Sequence, residues 1–168
     1  MESKEPAGLV YKVSTSSSST VGCCQVGLDW RVVVALSHYS STSVELTGLQ
    51  SRGACDSSYR QRVSEGEIEW YRGLAPAVVL DLLQEANPST VVALSVSEFM
   101  GDSSILHSNG REGLVKHYAT WGFTAVTPAQ RKAHPEWDEY IDLTTTVEQL
   151  RQHIVVADRH QTLLKSRK

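Results

Sequence analysis

The spacing of apolar and polar positions predicts several short strands in the first third of the chain. Leu9 to Val13, Trp30 to Tyr39 and Thr42 to Gln50 are short stretches rich in β-branched residues, a composition typical of strands. The last two are separated by a brief serine run, so we expect them to form an antiparallel hairpin. Residues 14–20 are all serine or threonine, which predicts a loop or a disordered arm.

The middle of the chain carries the clearest periodicity. Gly66 to Tyr71 alternates as a short strand does, after a polar stretch at 53–64 that predicts a loop. Helical spacing follows, at Val78, Val79, Leu82, Leu83 and Ala86. Pro76 suits the first turn of that helix, and Ser89 to Val96 is a continuous apolar run typical of a strand buried on both faces. We therefore expect two parallel strands joined by a right-handed crossover helix.

A second amphipathic helix is predicted beyond a polar loop at 97–111. Leu114, Val115 and Tyr118 share one face of it, Gly122 suits its C-terminal cap, and His117 is expected to face solvent. Two more strands are expected, Phe123 to Val126 and Asp138 to Thr146. A capping box, Thr145-x-x-Glu148, then predicts a C-terminal helix over 146–164. The pattern as a whole is that of one mixed α+β (α/β) domain spanning residues 1–168.

Composition narrows the class of partner. The 168 residues carry a net charge of −3, so there is no basic surface that predicts nucleic acid or an anionic membrane as a partner. No cationic leader or run of eighteen apolar residues is present, which makes a cytoplasmic location the expectation. Cys23, Cys24 and Cys55 are odd in number and lack metal-ligand spacing, so we expect reduced thiols and no metal site.

Two motifs, in their order along the chain, resemble those of a known protein family. "RGLAPAVVLDLL" and "GLVKHYATWGF", with the strands around them, resemble segments of the GNAT superfamily of acyl-CoA-dependent N-acetyltransferases over residues 66–146. The resemblance implies a twisted mixed sheet, with a parallel strand pair joined by a helix at a phosphate-binding loop. It also implies an N-acetyltransferase that uses acetyl-CoA as co-substrate and a primary amine as acceptor.

The first motif resembles the phosphate loop of that family. The residues that would contact the cofactor are Arg72, Gly73, Leu74, Ala75 and Ala77. Backbone N–H groups at a helix N-terminus form a cradle for a pyrophosphate, and small residues let the backbone come close. Ala75 stands where the family usually has glycine, and Pro76 removes one N–H donor.

The second motif carries the tyrosine that often serves as general acid in that family, here Tyr118, which would protonate the leaving thiolate. Alternatively, Tyr118 is a core residue with a satisfied hydroxyl. Glu67 and Glu69 share a face of the expected strand and are candidates for the general base, although acidic residues on a short strand are more often only solvated. A backbone N–H from the buried strand, at Leu94, Ser95 or Val96, would polarise the thioester carbonyl where the family's parallel strands splay apart.

The sequence leaves several functions of the chain open. The family usually has one or two helices between its first and second strands, which often shape the acceptor site, and the serine-rich stretch here shows no helical period. The chain is therefore either an active enzyme, a catalytically inactive GNAT-like module that binds acyl-CoA or a protein, or an unrelated α/β domain. His134, Glu136 and Asp138 alternate and suit either a cation site or a charged loop.

Overall fold

The computed structural model describes residues 5–51, 65–96 and 110–167. Its centre is a mixed seven-stranded sheet with the strand order β1-β2-β3-β4-β5-β7-β6. The chain is thus of the mixed α+β class, and most of its strand pairs are antiparallel.

The first half of the sheet is a meander of four antiparallel strands. They are β1 (Leu9–Thr15), β2 (Ser19–Val26), β3 (Asp29–Ser40) and β4 (Ser43–Ser51). The β3–β4 hairpin expected from the sequence is confirmed. The expectation of a loop or disordered arm at 14–20 is wrong, because only 16–18 form a turn and β2 begins at Ser19. Ser14 and Thr15 end β1, and Ser19 and Thr20 begin β2, whose backbone pairs with both β1 and β3.

The second half of the sheet brings in the only parallel pairing among the described strands. β5 (Val91–Leu94) runs parallel to β4, and β7 (Leu143–Thr146) runs antiparallel to β5. β6 (Thr124–Ala125) forms a two-residue edge on β7. The strand predicted at Asp138 to Thr146 is therefore confirmed only from Leu143 onward.

Six helices are described around the sheet. They are α1 (Glu65–Tyr71), α2 (Leu74–Leu82), α3 (Gly110–Ala119), α4 (Pro128–Ala133), α5 (Val147–His153) and α6 (Asp158–Lys165). The helices predicted around Pro76 and around Tyr118 are confirmed as α2 and α3. Gly122 follows α3 with a left-handed φ of 93°, the conformation that a helix end favours and that glycine adopts without strain.

The strand predicted at Gly66 to Tyr71 is wrong, because these residues belong to the helix α1. Gly66, Trp70 and Tyr71 are its buried positions, and the spacing of four residues between Gly66 and Trp70 is helical. The polar–apolar alternation that suggested a strand covers only three residues between them. The parallel partner of β5 is consequently β4, and α1 and α2 both lie in the connection between these strands.

The single C-terminal helix predicted over 146–164 is also wrong, because the chain forms two helices there. α5 is capped by the Thr146 side chain, which accepts from the Gln149 N–H at 3.2 Å, and it ends at His153. The residue after it, Ile154, is buried with extended backbone. Ile154 begins a run of three β-branched residues, which favour extended backbone over helix.

The main hydrophobic core lies on one face of the sheet. Alternate residues of β3, Val32, Val34 and Leu36, are fully buried in it together with Leu94 of β5 and Val78 of α2. A smaller cluster of Ala93, Trp137 and Ile141 covers the other face beside β5. In the described part of the chain, no helix combines the length and the apolar composition needed to cross a membrane.

Candidate functional site

The parallel pair of strands β4 and β5 splits after four residues. Its ladder runs from Ser43 and Val91 to Leu46 and Leu94. Beyond Leu46, β4 continues to Ser51 with β3 as its strand partner. The segments that follow Leu46 and Leu94 thus have different neighbours. We call this point the strand split.

The chain after β5 is held on the side away from β4. The Asp142 N–H donates to the Leu94 carbonyl at 3.1 Å, and the Asp142 carboxylate accepts from the Val96 N–H at 3.0 Å. The structure therefore places Leu94, Ser95 and Val96 at the strand split, where a carbonyl-polarising N–H was predicted. A thioester carbonyl would compete with a carboxylate for the N–H of Val96, and the role of this segment stays a prediction.

A β-bulge lies on β4 at the same point. Leu46 pairs with Leu36 and Gly48 pairs with Ala35, so Thr47 is an extra residue on the β4 side. A bulge increases the local twist and turns backbone and side chains in new directions, and bulges are over-represented beside active sites. The strand split is thus accompanied by a local change in the direction of β4.

Tyr118 is buried in the main core, as its apolar position predicts. Its ring is 3% exposed and packs edge-to-face against Trp121 and Phe123, with ring centroids 5.1 and 5.8 Å apart. Burial raises the pKa of Tyr118 well above its ordinary value of 10, so the phenol stays protonated throughout the physiological range. No described residue forms a hydrogen bond with its hydroxyl, and its role as proton donor stays a prediction.

His117 differs from its prediction, because it is half-buried rather than facing solvent. Its ring centroid lies 5.3 Å from both Tyr118 and Trp121. The rings of Tyr118 and Trp121 are large enough to contact His117, although His117 lies about 100° from Tyr118 around the helix axis. Burial lowers the pKa of His117.

The predicted phosphate-contacting residues lie at the junction of α1 and α2, and no strand leads into it. Gly73 caps α2 with a left-handed φ of 85°, and Ala77 is fully buried. The Arg72 side chain is 75% exposed and pairs with Glu69 at 3.1 Å. The strand–turn–helix setting expected for this loop is therefore absent, and the cofactor role of Arg72, Gly73, Leu74, Ala75 and Ala77 stays a prediction.

Side chains of the C-terminal helix α6 form hydrogen bonds with the α1–α2 junction. Arg159 donates to the carbonyls of Trp70 and Arg72, each at 3.1 Å, and to that of Glu69 at 3.4 Å. The fully buried His160 donates through Nε2 to the Trp70 carbonyl at 2.6 Å, while its Nδ1 has no hydrogen-bond partner among the described residues. Burial lowers the pKa of His160, with Arg159 acting in the same direction and the Trp70 carbonyl opposing them.

Glu67 and Glu69 do not share a face, contrary to the expectation from strand alternation. In the helix α1 two residues are about 200° apart around the axis, so the two carboxylates point in different directions. Glu69 is engaged by Arg72, as described above. Their candidacy as general base rested on a shared strand face that the structure lacks, although no finding tests either role.

The structure reveals a carboxylate near the strand split that sequence reasoning missed. Glu45 of β4 is 6% exposed, and Tyr39 of β3 donates a short hydrogen bond from its hydroxyl to Glu45 Oε1. Burial, the Glu45 carboxylate and two further acidic side chains, Asp138 and Glu136, raise the pKa of Tyr39. The sequence signal is an acidic residue between the apolar residues Val44 and Leu46 of a strand.

The segment that suggested a cation site is a folded connection between α4 and β7. His134 stacks on Trp137 at 4.2 Å, and its Nδ1 bonds to Glu136 Oε1 at 3.0 Å. Asp138 accepts from the Tyr140 N–H at 2.8 Å. Within residues 5–51, 65–96 and 110–167, no group of three or more histidine, cysteine or acidic side chains has the arrangement of a metal site.

A separate groove of about 450 Å³ lies between α2 and α6. Ala77, Leu80, Val156 and Leu164 supply its apolar lining. At one side, Asp81 accepts from the Tyr11 hydroxyl at 2.6 Å and pairs with Arg167 at 2.8 Å. Because Ala77 lines this groove, its side chain faces the α2–α6 contact.

Comparison of the chain with protein-family models, with curated proteins and with solved structures finds no match. The functional argument therefore rests on the residues and geometry of this chain.

Proposed function

We propose that the protein is an acetyl-CoA-dependent N-acetyltransferase acting on a primary amine. The observation that carries the proposal is the strand split, in which β4 and β5 pair in parallel as far as Leu46 and Leu94 and then follow different neighbours. The GNAT resemblance of the sequence implies such a splayed parallel pair, with the pantetheine arm of the cofactor inserted between its strands.

Acetyl transfer needs a group that stabilises negative charge and a group that donates a proton, and we propose both beside the strand split. Attack by an amine puts negative charge on the thioester oxygen, and a fixed backbone N–H stabilises that charge. The segment 94–96 and the bulge at Thr47 are the two stretches of backbone beside the split that would supply such a donor. The leaving thiolate then needs a proton, the role proposed for Tyr118, whose hydroxyl is protonated at neutral pH.

The parallel pairing of β4 with β5 also changes where the phosphate loop is expected. The first strand of the parallel pair is β4, so the loop that follows it in the family corresponds to the chain after Ser51. The sequence there reads Gln50-Ser51-Arg52-Gly53-Ala54-Cys55, which matches the family pattern at Gln50 and Gly53 and has cysteine at its final position. Residues 52–64 lie outside the described part of the chain, so this assignment and the one at Arg72 to Ala77 are alternatives for experiment.

A second candidate function is favoured by the β1–β2 connection. It is a three-residue turn at 16–18, whereas the family usually places there the helices that shape the acceptor site. This observation favours a catalytically inactive module that binds acyl-CoA without transferring the acyl group.

Thermal unfolding with and without acetyl-CoA tests cofactor binding. A ligand at a hundred times its dissociation constant adds about 2.7 kcal/mol, or about 5 to 10 °C for a chain of this length. We expect a rise that Gly53→Glu abolishes and that Arg72→Glu retains, and the reverse result would return the phosphate site to the α1–α2 junction. Lys12→Glu, on an exposed position of β1, is the control for added negative charge. No rise at millimolar acetyl-CoA would refute both candidate functions.

Turnover separates the two candidates. Release of the CoA thiol is followed with a panel of primary amines, namely putrescine, lysine amide and phenethylamine. Tyr118→Phe should lower kcat by about a hundredfold or more and leave the acetyl-CoA thermal shift unchanged, because only the proton donor is removed. Binding without turnover by any amine would favour the inactive module.

A further inference from the structure

Acetyl transfer to an amine requires a group that removes a proton, and the following inference rests on the proposed function. An alkylamine has a pKa of about 10.4, so at neutral pH it is almost entirely an ammonium ion without a lone pair to attack. Of the two glutamates suggested by the sequence, neither lies in β4 or β5. The described part of the chain offers a different carboxylate.

Glu45 stands beside the strand split. It pairs with Ala93 of β5, one row before the last paired row of Leu46 and Leu94. One residue of strand is about 3.3 Å, so its backbone lies within a single residue of the point where the strands separate. It is the one acidic residue among the buried positions of the described chain.

Tyr39 connects this buried carboxylate with the surface. Its side chain is 36% exposed, while the Glu45 residue is 6% exposed, and the Tyr39 hydroxyl donates to Glu45 Oε1. The β3–β4 register shifts between His38 and Ser40, so Tyr39 is a bulged residue of its strand. The bulge directs its ring to the carboxylate, and the hydroxyl then forms the outer end of a two-residue chain of proton carriers.

The surroundings of Tyr39 favour a positively charged acceptor. Asp138 and Glu136 act on it from the α4–β7 connection, in addition to Glu45 beneath it. His134 is paired with Glu136 at 3.0 Å. Arg131, in the last turn of α4, donates to the backbone carbonyls of residues 138, 139 and 141. Negative charge at the outer end of the pair attracts an ammonium ion to it.

We propose that Tyr39 and Glu45 together accept the proton of a cationic primary amine. The ammonium N–H bond breaks toward Tyr39 Oη, and the Tyr39 hydroxyl proton passes to the Glu45 carboxylate. The neutral nitrogen then attacks the thioester carbon, forming the C–N bond while the C–S bond breaks. The second proton lost by the nitrogen ends on the CoA sulfur, and Glu45 returns its proton to solvent through Tyr39.

The experiment compares the pH dependence of kcat/KM for wild type, Glu45→Gln and Tyr39→Phe, with the same amine panel. Gln retains a carbonyl that accepts from Tyr39 but cannot take a proton, so the pair keeps its shape. At pH 7 we expect Glu45→Gln to lose about a hundredfold to ten-thousandfold, the range of general base catalysis. Its rate should then rise about tenfold per pH unit toward pH 10 and approach wild type, as the amine loses its proton in solution.

Two controls accompany the comparison. Tyr140→Phe removes the hydroxyl of another tyrosine, which is 58% exposed, and it should leave the profile unchanged. The acetyl-CoA thermal shift is measured on every variant, and it should match wild type for Glu45→Gln and Tyr39→Phe.

Each outcome decides a separate claim. A Glu45→Gln profile that parallels wild type at every pH, or a loss that persists at pH 10 with the thermal shift retained, would overturn the relay and leave the acetyltransferase proposal standing. Absence of both an acetyl-CoA shift and CoA release in wild type would refute the acetyltransferase proposal, and the relay with it. Slow turnover at pH 7 with high-pH rescue supports both.

Discussion

Acidification should destabilise the protein through His160, and Glu or Asp residues are not needed for the effect. His160 is fully buried, its Nε2 donates to the Trp70 carbonyl at 2.6 Å, and its Nδ1 has no partner in the described chain. Protonation would place a second N–H on Nδ1, with no acceptor, near the Arg159 guanidinium. Burial first, and then Arg159, therefore lower the pKa of His160 in the folded state below its ordinary value of 6.5.

The direction and size of the effect follow from proton linkage. The unfolded chain takes up the His160 proton near pH 6.5, and the folded chain only at lower pH, so stability is lost as pH falls from about 6.5 to the folded pKa. If the folded state binds no proton at this site, the loss at pH 5.5 reaches its ceiling of about 1.4 kcal/mol, against less than about 0.1 kcal/mol at pH 7.5. The lowered pKa of His117 adds a loss of the same sign.

Urea unfolding at pH 7.5 and 5.5, followed by tryptophan fluorescence, measures this loss. His160→Gln keeps an N–H in place to donate to the Trp70 carbonyl and has no titration, so its stability should fall by up to about 1.4 kcal/mol less than that of wild type. His153→Gln removes an exposed histidine of α5 and should retain the full loss. An identical pH dependence in wild type and His160→Gln would refute the reasoning.

Three further predictions concern packing and reactivity. Gly22→Ala places a Cβ 2.9 Å from Val78 Cγ1, and this overpacking should cost about 1 to 3 kcal/mol in urea unfolding, with no change in stability refuting the close contact. Burial raises the pKa of Cys24 to about 12, so iodoacetamide at pH 8 should label it more slowly than the half-buried Cys23 in peptide mapping, and equal rates would contradict its burial. Arg159→Lys loses the planar fork that donates to three carbonyls and should cost about 1 to 3 kcal/mol, whereas an unchanged midpoint would show these bonds to be dispensable.

The elements that the sequence predicts correctly are those defined by local pattern. The hairpin of β3 and β4 follows from two β-branched runs and a short polar turn, and the helix α2 follows from apolar spacing between Pro76 and Asn87. In both cases the residues that decide the structure lie within about twenty positions of each other. Neighbours far along the chain then only add to a preference that is already present.

The main error arose where local pattern was short and pairing was distant. Three alternating residues between Gly66 and Trp70 suggested a strand, and its proximity in sequence to β5 suggested the parallel partner. The actual partner, β4, lies more than forty residues before β5. The free-energy cost of closing a loop rises only slowly with its length, so the number of residues between two strands does not fix which pair forms.

The Tyr39–Glu45 pair was hidden for a related reason. A strand pattern shows which side chains share a face, but the contact depends on the register shift in β3 and on burial by the α4–β7 connection. The available signal was Glu45 itself, between Val44 and Leu46, since a carboxylate is costly to bury unless it is hydrogen-bonded. Its partner was not deducible from spacing alone.

The short β1–β2 turn has a consequence for the acceptor site. In the family that the sequence resembles, helices between the first two strands often shape that site, and the three residues 16–18 cannot provide such a wall. Acidic side chains of the α4–β7 connection, Glu136 and Asp138, act electrostatically on Tyr39 instead. If the acetyltransferase proposal holds, acceptor selectivity therefore depends on residues 134–138. Substitutions there should change KM for the amine, while substitutions in the β1–β2 turn should not.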